Sequence, residues 1–299
     1  MLISVFLNVL APVFIILGLA YAATRQLRLE SRTLSRLAYY VLTPAFVFQV
    51  ISTARIELGL AARMVAFITL VYVGSVALAF AVARLLRCSR QMTISYMMIA
   101  SFGNVGNFGL PISQFAQGNA ALLPATLYFL ANLVFALVLC VMLANAGRGR
   151  LVHALGRVAS TPALLALIPA LVVNVTGVQV PAVIARPIEL LAAAMIPAML
   201  IALGVQFANA GIPRFNRDML AAAGVRLISG PLLAFALAEG FGLPALERNV
   251  GILQASMPAA VLVSIIAMEN DIVPEFTTVA VLFSNLASVA TLSFVLAAL

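Results

Sequence analysis

Residues 101–111 read Ser101-Phe102-Gly103-Asn104-Val105-Gly106-Asn107-Phe108-Gly109-Leu110-Pro111, in the middle of a long apolar stretch. Three glycines, two asparagines and a proline in nine residues would break a helix in water. At bilayer depth the freed backbone groups persist only where protein buries them or water reaches them. A polar, non-helical crossing of the membrane accounts for so costly a feature. Asparagine side chains both donate and accept, so they can serve the loose backbone and a bound ligand together. A half-helix starting near Pro111 would aim its N-terminal amides at the midplane, which suits an anion. Asn104, Gly106, Asn107, Gly109 and Pro111 are therefore candidate substrate-binding residues. The competing account is close helix packing through small residues. Glycine and serine would suffice for that, and the two asparagines and the proline are surplus to it.

A quieter interruption follows at Gln254-Ala255-Ser256-Met257-Pro258-Ala259-Ala260. A simple kink satisfied by Ser256 is one explanation; a second broken helix, with Ser256, Met257 and Pro258 facing the same ligand, is the other. Gln49 and Ser52 either line a cavity or bond backbone carbonyls, and Gln49 joins the candidates. Arg226 lies inside an apolar run, where it either snorkels to the surface or serves as a cation in a water-filled path. Glu239, Glu247, Glu269 and Asp271 fall near the ends of apolar runs. A coupling ion, proton or sodium, thus has no evident carboxylate at mid-membrane, and no cofactor is expected.

The elements that must position these residues follow from composition. The 299-residue chain is 64% hydrophobic and 9% charged, with a mean hydropathy of +1.16. A soluble domain is about 45–50% apolar and about 25% charged, so the lipid bilayer is the solvent here. A span needs roughly 20 apolar residues. Ten candidates fit: 2–23, 34–52, 61–83, 92–116 and 120–144, then 155–176, 184–207, 218–239, 246–268 and 275–298. The expected fold is an all-α membrane protein of about ten transmembrane helices, with helices four and nine broken.

The two halves share punctuation. Pro12 and Pro162, Pro44 and Pro197, and Pro111 and Pro258 fall at matching places in spans one and six, two and seven, and four and nine. Five spans per unit is an odd number, so the second copy enters the membrane inverted, as in many secondary transporters. The units divide the chain at 1–146 and 147–299. All 17 basic residues are arginine. With the N-terminus outside, the cytoplasmic loops hold twelve of them, among them Arg25, Arg28, Arg84, Arg87, Arg148, Arg150 and Arg217. The outer loops hold Arg55, Arg63, Arg186 and Arg248. That asymmetry places both termini outside.

Other classes fit poorly. The net charge of +8 lies in short clusters between apolar runs, not in a patch with interleaved aromatics, so nucleic acid is not an expected partner. One histidine, His153, and two separated cysteines, Cys88 and Cys140, supply neither a metal cluster nor a nucleophile with a base, so no enzyme is expected. A non-transporting membrane receptor stays open at this point.

Four segments resemble the auxin efflux carrier family, which includes bacterial members and the plant PIN-type carriers. They are Leu42 through Ser52, Asn104 through Pro111, Val225 through Pro231, and Ala255 through Pro258 with Ala267-Met268-Glu269-Asn270. The resemblance spans essentially the whole chain, and the Asn104 segment is its most specific part. It implies crossed broken helices, a transport domain moving against a scaffold of spans one, two, six and seven, a homodimer, and Asn104 as the anion-contacting residue. The family tends to carry Asn-Pro near the start of span six. Here Thr161-Pro162 stands there, which makes Thr161 a candidate contact of altered chemistry. The long central loop of the plant carriers is absent, which counts against auxin itself; the bacterial members imply a small carboxylate, malonate- or malate-like or else auxin-like, carried across the inner membrane. A sodium-coupled carrier of the bile-acid type is the alternative within transport. The topology has a direct check: alkaline phosphatase fused to the C-terminus should be active and green fluorescent protein dark, and the reverse pattern would overturn the orientation.

Overall fold

The computed structural model describes residues 6–144, 160–210 and 216–299, and the regular elements among them are helices. The expected unit boundary at 146/147, His153, and arginines 148, 150, 157 and 214 lie outside the described residues, as does the side chain of Cys140. Among the described residues twelve helices follow in order, beginning with α1 (Phe6–Leu27), α2 (Ser31–Thr53), α3 (Leu58–Leu85), α4 (Arg90–Ser101), α5 (Leu110–Gln117) and α6 (Leu122–Ala144). Then come α7 (Pro162–Thr176), α8 (Ala182–Ala210), α9 (Arg217–Ala238), α10 (Ala245–Ala255), α11 (Val261–Glu269) and α12 (Pro274–Ala298). Six of them, α1, α2, α3, α8, α9 and α12, are long and apolar enough to cross a bilayer. At 1.5 Å per residue, α3 alone reaches about 42 Å, more than the roughly 30 Å of hydrocarbon.

Local chemistry explains where helices end. After α1, Arg28 takes a left-handed conformation (φ 51°) and its N–H bonds the Thr24 carbonyl, closing the helix before Glu30 leads into α2. Gly118 (φ 73°) makes the sharp break after α5, and a single 3₁₀ turn, Asn119–Ala121, re-enters α6. This break falls in the gap at 117–119 between the expected spans 92–116 and 120–144. Cys88, in the turn between α3 and α4, is a free thiol held above its ordinary pKa by burial and then by Asp218.

Three prolines are accommodated in one way. The π-helical turns Phe6–Leu10, Ala38–Leu42 and Val105–Gly109 each end two residues before Pro12, Pro44 and Pro111. A proline inside a helix lacks the N–H for its bond and pushes its ring at the carbonyl four residues back. A widened turn just upstream relieves that clash while helical direction continues. Hence the half-helix beyond the first break starts at Val105, not near Pro111 as its sequence suggests. Asn104 is the residue that opens it, its carbonyl accepting from the N–H groups of Phe108 (3.1 Å) and Gly109 (3.0 Å).

Packing sorts the helices into two groups. In one, α2 lies along α7 and α8, and α8 along α1. In the other, α3 packs on α4, α6 and α9, while α9 also packs on α4, α10 and α12, and α12 on α11. The first group corresponds to the expected spans one, two, six and seven. Within it α1 and α8 approach closely at Gly204, where a Cβ would press on the Leu17 carbonyl and the Ala20 methyl. Gly204→Val therefore overpacks this seam and should destabilise the fold by about 1–3 kcal/mol, read as a lowered melting temperature in detergent.

Candidate functional site

Both expected breaks are breaks, and they meet. Helix α4 ends at Ser101, Phe102 is extended, and the chain turns at Asn104 into the π-turn and α5. Helix α10 ends at Ala255, and Ser256 through Ala260 lead into α11. The two interruptions pair as a short antiparallel bridge between Gly103 and Ala259. The Asn104 N–H donates to the Pro258 carbonyl (2.7 Å) and the Ala260 N–H to the Phe102 carbonyl (2.8 Å). Backbone freed from one helix thus satisfies backbone freed from the other, which is what an apolar medium demands.

Arg226 stands beneath this crossing. It is 3% exposed, about 14 Å along α9 from Arg217 at 1.5 Å per residue. Its Nε donates to the Met257 carbonyl (2.9 Å), Nη1 to that of Ala100 (2.7 Å) and Nη2 to that of Ala255 (3.3 Å). The acceptors lie at the end of α4, at the end of α10 and, for Met257, in the interruption two residues beyond it. Two helix C-termini, each with carbonyls lacking intrahelical partners and a partial negative charge, converge on one guanidinium. The side chain does not snorkel; it caps both half-helices. Gly103 has no Cβ for a physical reason, since one would collide with the Arg226 guanidinium. One turn along α9, Gly230 lets the helix lie directly against the Ala255 carbonyl.

Other polar side chains hold the crossing from the sides. Asn285 of α12 donates from Nδ2 to the carbonyls of Ala259 (2.9 Å) and Val281 (2.9 Å), and its Oδ1 accepts from Asn104 Nδ2 (3.2 Å). Ser284 Oγ accepts from the Ala259 N–H (3.0 Å). Asn132 of α6 donates to the Gly103 carbonyl (3.5 Å) and accepts from the Tyr72 hydroxyl. Gln254 donates to Ser113 Oγ (3.3 Å), while its own amide oxygen is buried against Gly109 with no partner among the described residues.

The candidates from sequence divide among three places. Asn104, Met257 and Pro258 are at the crossing itself, and Ser256 beside them bonds the Ile252 carbonyl (2.7 Å). Gly106, Asn107, Gly109 and Pro111 form the first turns beyond Asn104; all but Asn107 are buried. Gly106 faces α6 and α8, where a Cβ would come within 3.1 Å of the Phe129 ring and 3.9 Å of the Met199 methyl. Gln49 lies elsewhere, in a cavity of about 630 Å³ between the two packing groups, with Phe46, Arg55, Gln114, Asn119 and Glu189. Ser52 and Thr53 turn their hydroxyls back to the Gln49 carbonyl, and Gln49 itself lines the space. Thr161 is buried at the start of α7 and does not line that cavity. The cavity stops short of Asn104, which is only 4% exposed.

Asn285, Ser284, Asn132 and Tyr72 are not among the sequence candidates. Their signal is nonetheless present: each is a polar group within an otherwise apolar span, where a partner is obligatory. Nothing in linear order says that the partner of Asn285 is a crossing whose Asn104 lies 181 positions away. Asn285→Ala removes its three amide hydrogen bonds, two donated and one accepted, and leaves the buried Ala259 carbonyl without its side-chain partner. It should cost about 1–3 kcal/mol, measurable as loss of thermal stability with secondary structure retained.

The sequence profile of the family described as membrane transport protein matches residues 5–157 and 153–296. A protein of Methanothermobacter thermautotrophicus named "Uncharacterized transporter" is 24% identical over 266 residues, covering 88% of this chain and 87% of that protein. A protein of Rhizobium meliloti named "Putative malonate transporter" is 28% identical over 264 residues, covering 85% of this chain and 82% of that protein. An "Uncharacterized transporter" of Methanocaldococcus jannaschii is 23% identical over 241 residues, covering 78% of each.

Proposed function

The chain belongs to the membrane transport protein family, and from that premise we propose that it carries a small organic acid anion across the cytoplasmic membrane by alternating access. The observation that carries this reading is the paired crossing of two broken helices at Gly103 and Ala259, with Asn104 at the head of a half-helix. The first N–H groups of a helix have no intrahelical partners, and beside an asparagine amide such a start favours a carboxylate. The Arg226 charge below the crossing adds a positive potential to the same region. A dicarboxylate of malonate or malate size is the preferred substrate, in keeping with the name of the Rhizobium meliloti relative.

Ten spans in two inverted five-helix units, 1–146 and 147–299, are the architecture this reading requires. The matched breaks in α4/α5 and α10/α11 support it, as do the paired prolines. The group of α1, α2, α7 and α8 serves as scaffold, and the group holding the crossing moves against it. The 630 Å³ cavity on the seam between them is the approach from the face that carries Arg55 and Glu189. Phe14 packs on Phe108, and Phe129 and Met199 lie against Gly106; in this reading that packing parts when the groups slide. Gln49 and Asn107 meet the anion on that path, and the inner-membrane protein works as a homodimer with both termini outside.

Purified protein in liposomes should take up radiolabelled malonate or malate saturably. Asn104→Ala should lower that uptake by about 10-fold or more, the loss of about one charge-assisted hydrogen bond. Wild-type uptake in the mutant would remove Asn104 from the site.

A further inference from the structure

Arg226 places a permanent positive charge inside the apolar bundle, and the hydrogen bonds described for it all go to backbone carbonyls. Among the described residues no acidic side chain pairs with it. We propose that Arg226 is a resident cation standing where a coupling cation would otherwise bind, so that the carrier moves its anion without sodium. This rests on the crossing being the transport site.

Three observations converge on it. The first is the acceptor set. In carriers with discontinuous helices, unwound carbonyls and half-helix C-terminal ends are the groups that coordinate sodium. Here the carbonyls of Ala100, Ala255 and Met257, from the ends of α4 and α10 and the interruption after α10, are bonded by three guanidinium nitrogens at 2.7–3.3 Å. Those oxygens already serve a cation, and the guanidinium charge repels a second one from the same place. The second is space. Gly103 lacks a Cβ where the guanidinium sits, and Gly230 lets α9 touch the Ala255 carbonyl, so backbone is fitted closely around the arginine. The third is attachment. Arg226 is on α9, which packs on α3, α4, α10 and α12 and so belongs to the same group as the crossing. The charge travels with the site and stays opposite the two helix ends in every position of the cycle. A guanidinium is protonated throughout the physiological range, so the charge is constant. The acidic residues of α9 and its flank stand away from this level: Asp218 is one residue into the helix, and Glu239 follows its end.

The test uses wild-type protein first. Malonate uptake into proteoliposomes should change by less than about twofold when choline replaces sodium on both sides, and the melting temperature in detergent should not respond to sodium. Sodium stimulation beyond that, or a sodium-dependent melting shift, overturns the proposal. Arg226→Lys keeps a charge near the helix ends, whereas Arg226→Gln keeps polarity alone. At equal monodispersity the Lys variant should transport at least about five times faster than the Gln variant; equal rates reduce Arg226 to a packing element and overturn the assignment. If neither variant folds, the sodium experiments on the intact protein decide. If no carboxylate is carried by the wild type, the transport reading fails, while the sodium melting shift still judges the resident cation.

Discussion

The structure turns on one electrostatic constraint: two helices end in the middle of an apolar bundle, and their ends must not be left as bare negative poles. The last carbonyls of α4 and α10 have no intrahelical donors, and the bilayer offers no water in exchange. Arg226 answers both ends with one planar group whose donors spread in fixed directions. A lysine at that position would present a single point charge and could not reach three carbonyls in the same geometry. The cost of burying the guanidinium is offset because the partners it meets would otherwise be unsatisfied themselves. Neither the buried charge nor the bare helix ends would be stable without the other.

Once those ends are fixed, the remainder of the crossing follows. Phe102 and Gly103 run extended beside Met257 through Ala259, and the exchanged bonds between Asn104 and Pro258 and between Ala260 and Phe102 close the gap. Asn285 and Ser284 attach α12 to the second strand of the bridge, and Asn132 attaches α6 to the first. These side-chain bonds to the crossing all come from the larger packing group. Away from the cavity that Gln49, Gln114 and Glu189 line, the seam with α1, α2, α7 and α8 is by contrast packed through apolar contacts such as Phe14 with Phe108 (5.9 Å between ring centres). Directional bonds hold one body together, and non-directional packing joins it to the other. An interface of the second kind can shift without leaving polar groups unpaired.

Much of this is legible in the residues alone. The run from Gly103 to Pro111 announces a break because its residues cannot sustain a helix, and a break in lipid announces a polar site. The quieter segment at Ser256 also reads as a break, from its place opposite Pro111 in the chain's punctuation. The start of the half-helix is harder to place. Composition points to Pro111, because the π-turn that reconciles that proline with helical direction has no signature in residue type. Arg226 stands out as unusual, but its two readings do not separate: an arginine in a span looks the same whether it reaches outward for headgroups or inward for carbonyls.

Sequence by itself determined the solvent, the helical class, and the places where helices must fail, since hydropathy, chain length and proline or glycine content act locally. Tertiary structure decided what the failures are for one another. That Gly103 leaves space for Arg226, that Gly230 lies on the Ala255 carbonyl, and that Asn104 meets Asn285 are facts of close approach between residues up to 181 positions apart. Partners for a backbone released from its helix are chosen by geometry in three dimensions. For this chain, the buried cation Arg226 found its place through two helix ends that the linear order keeps far apart.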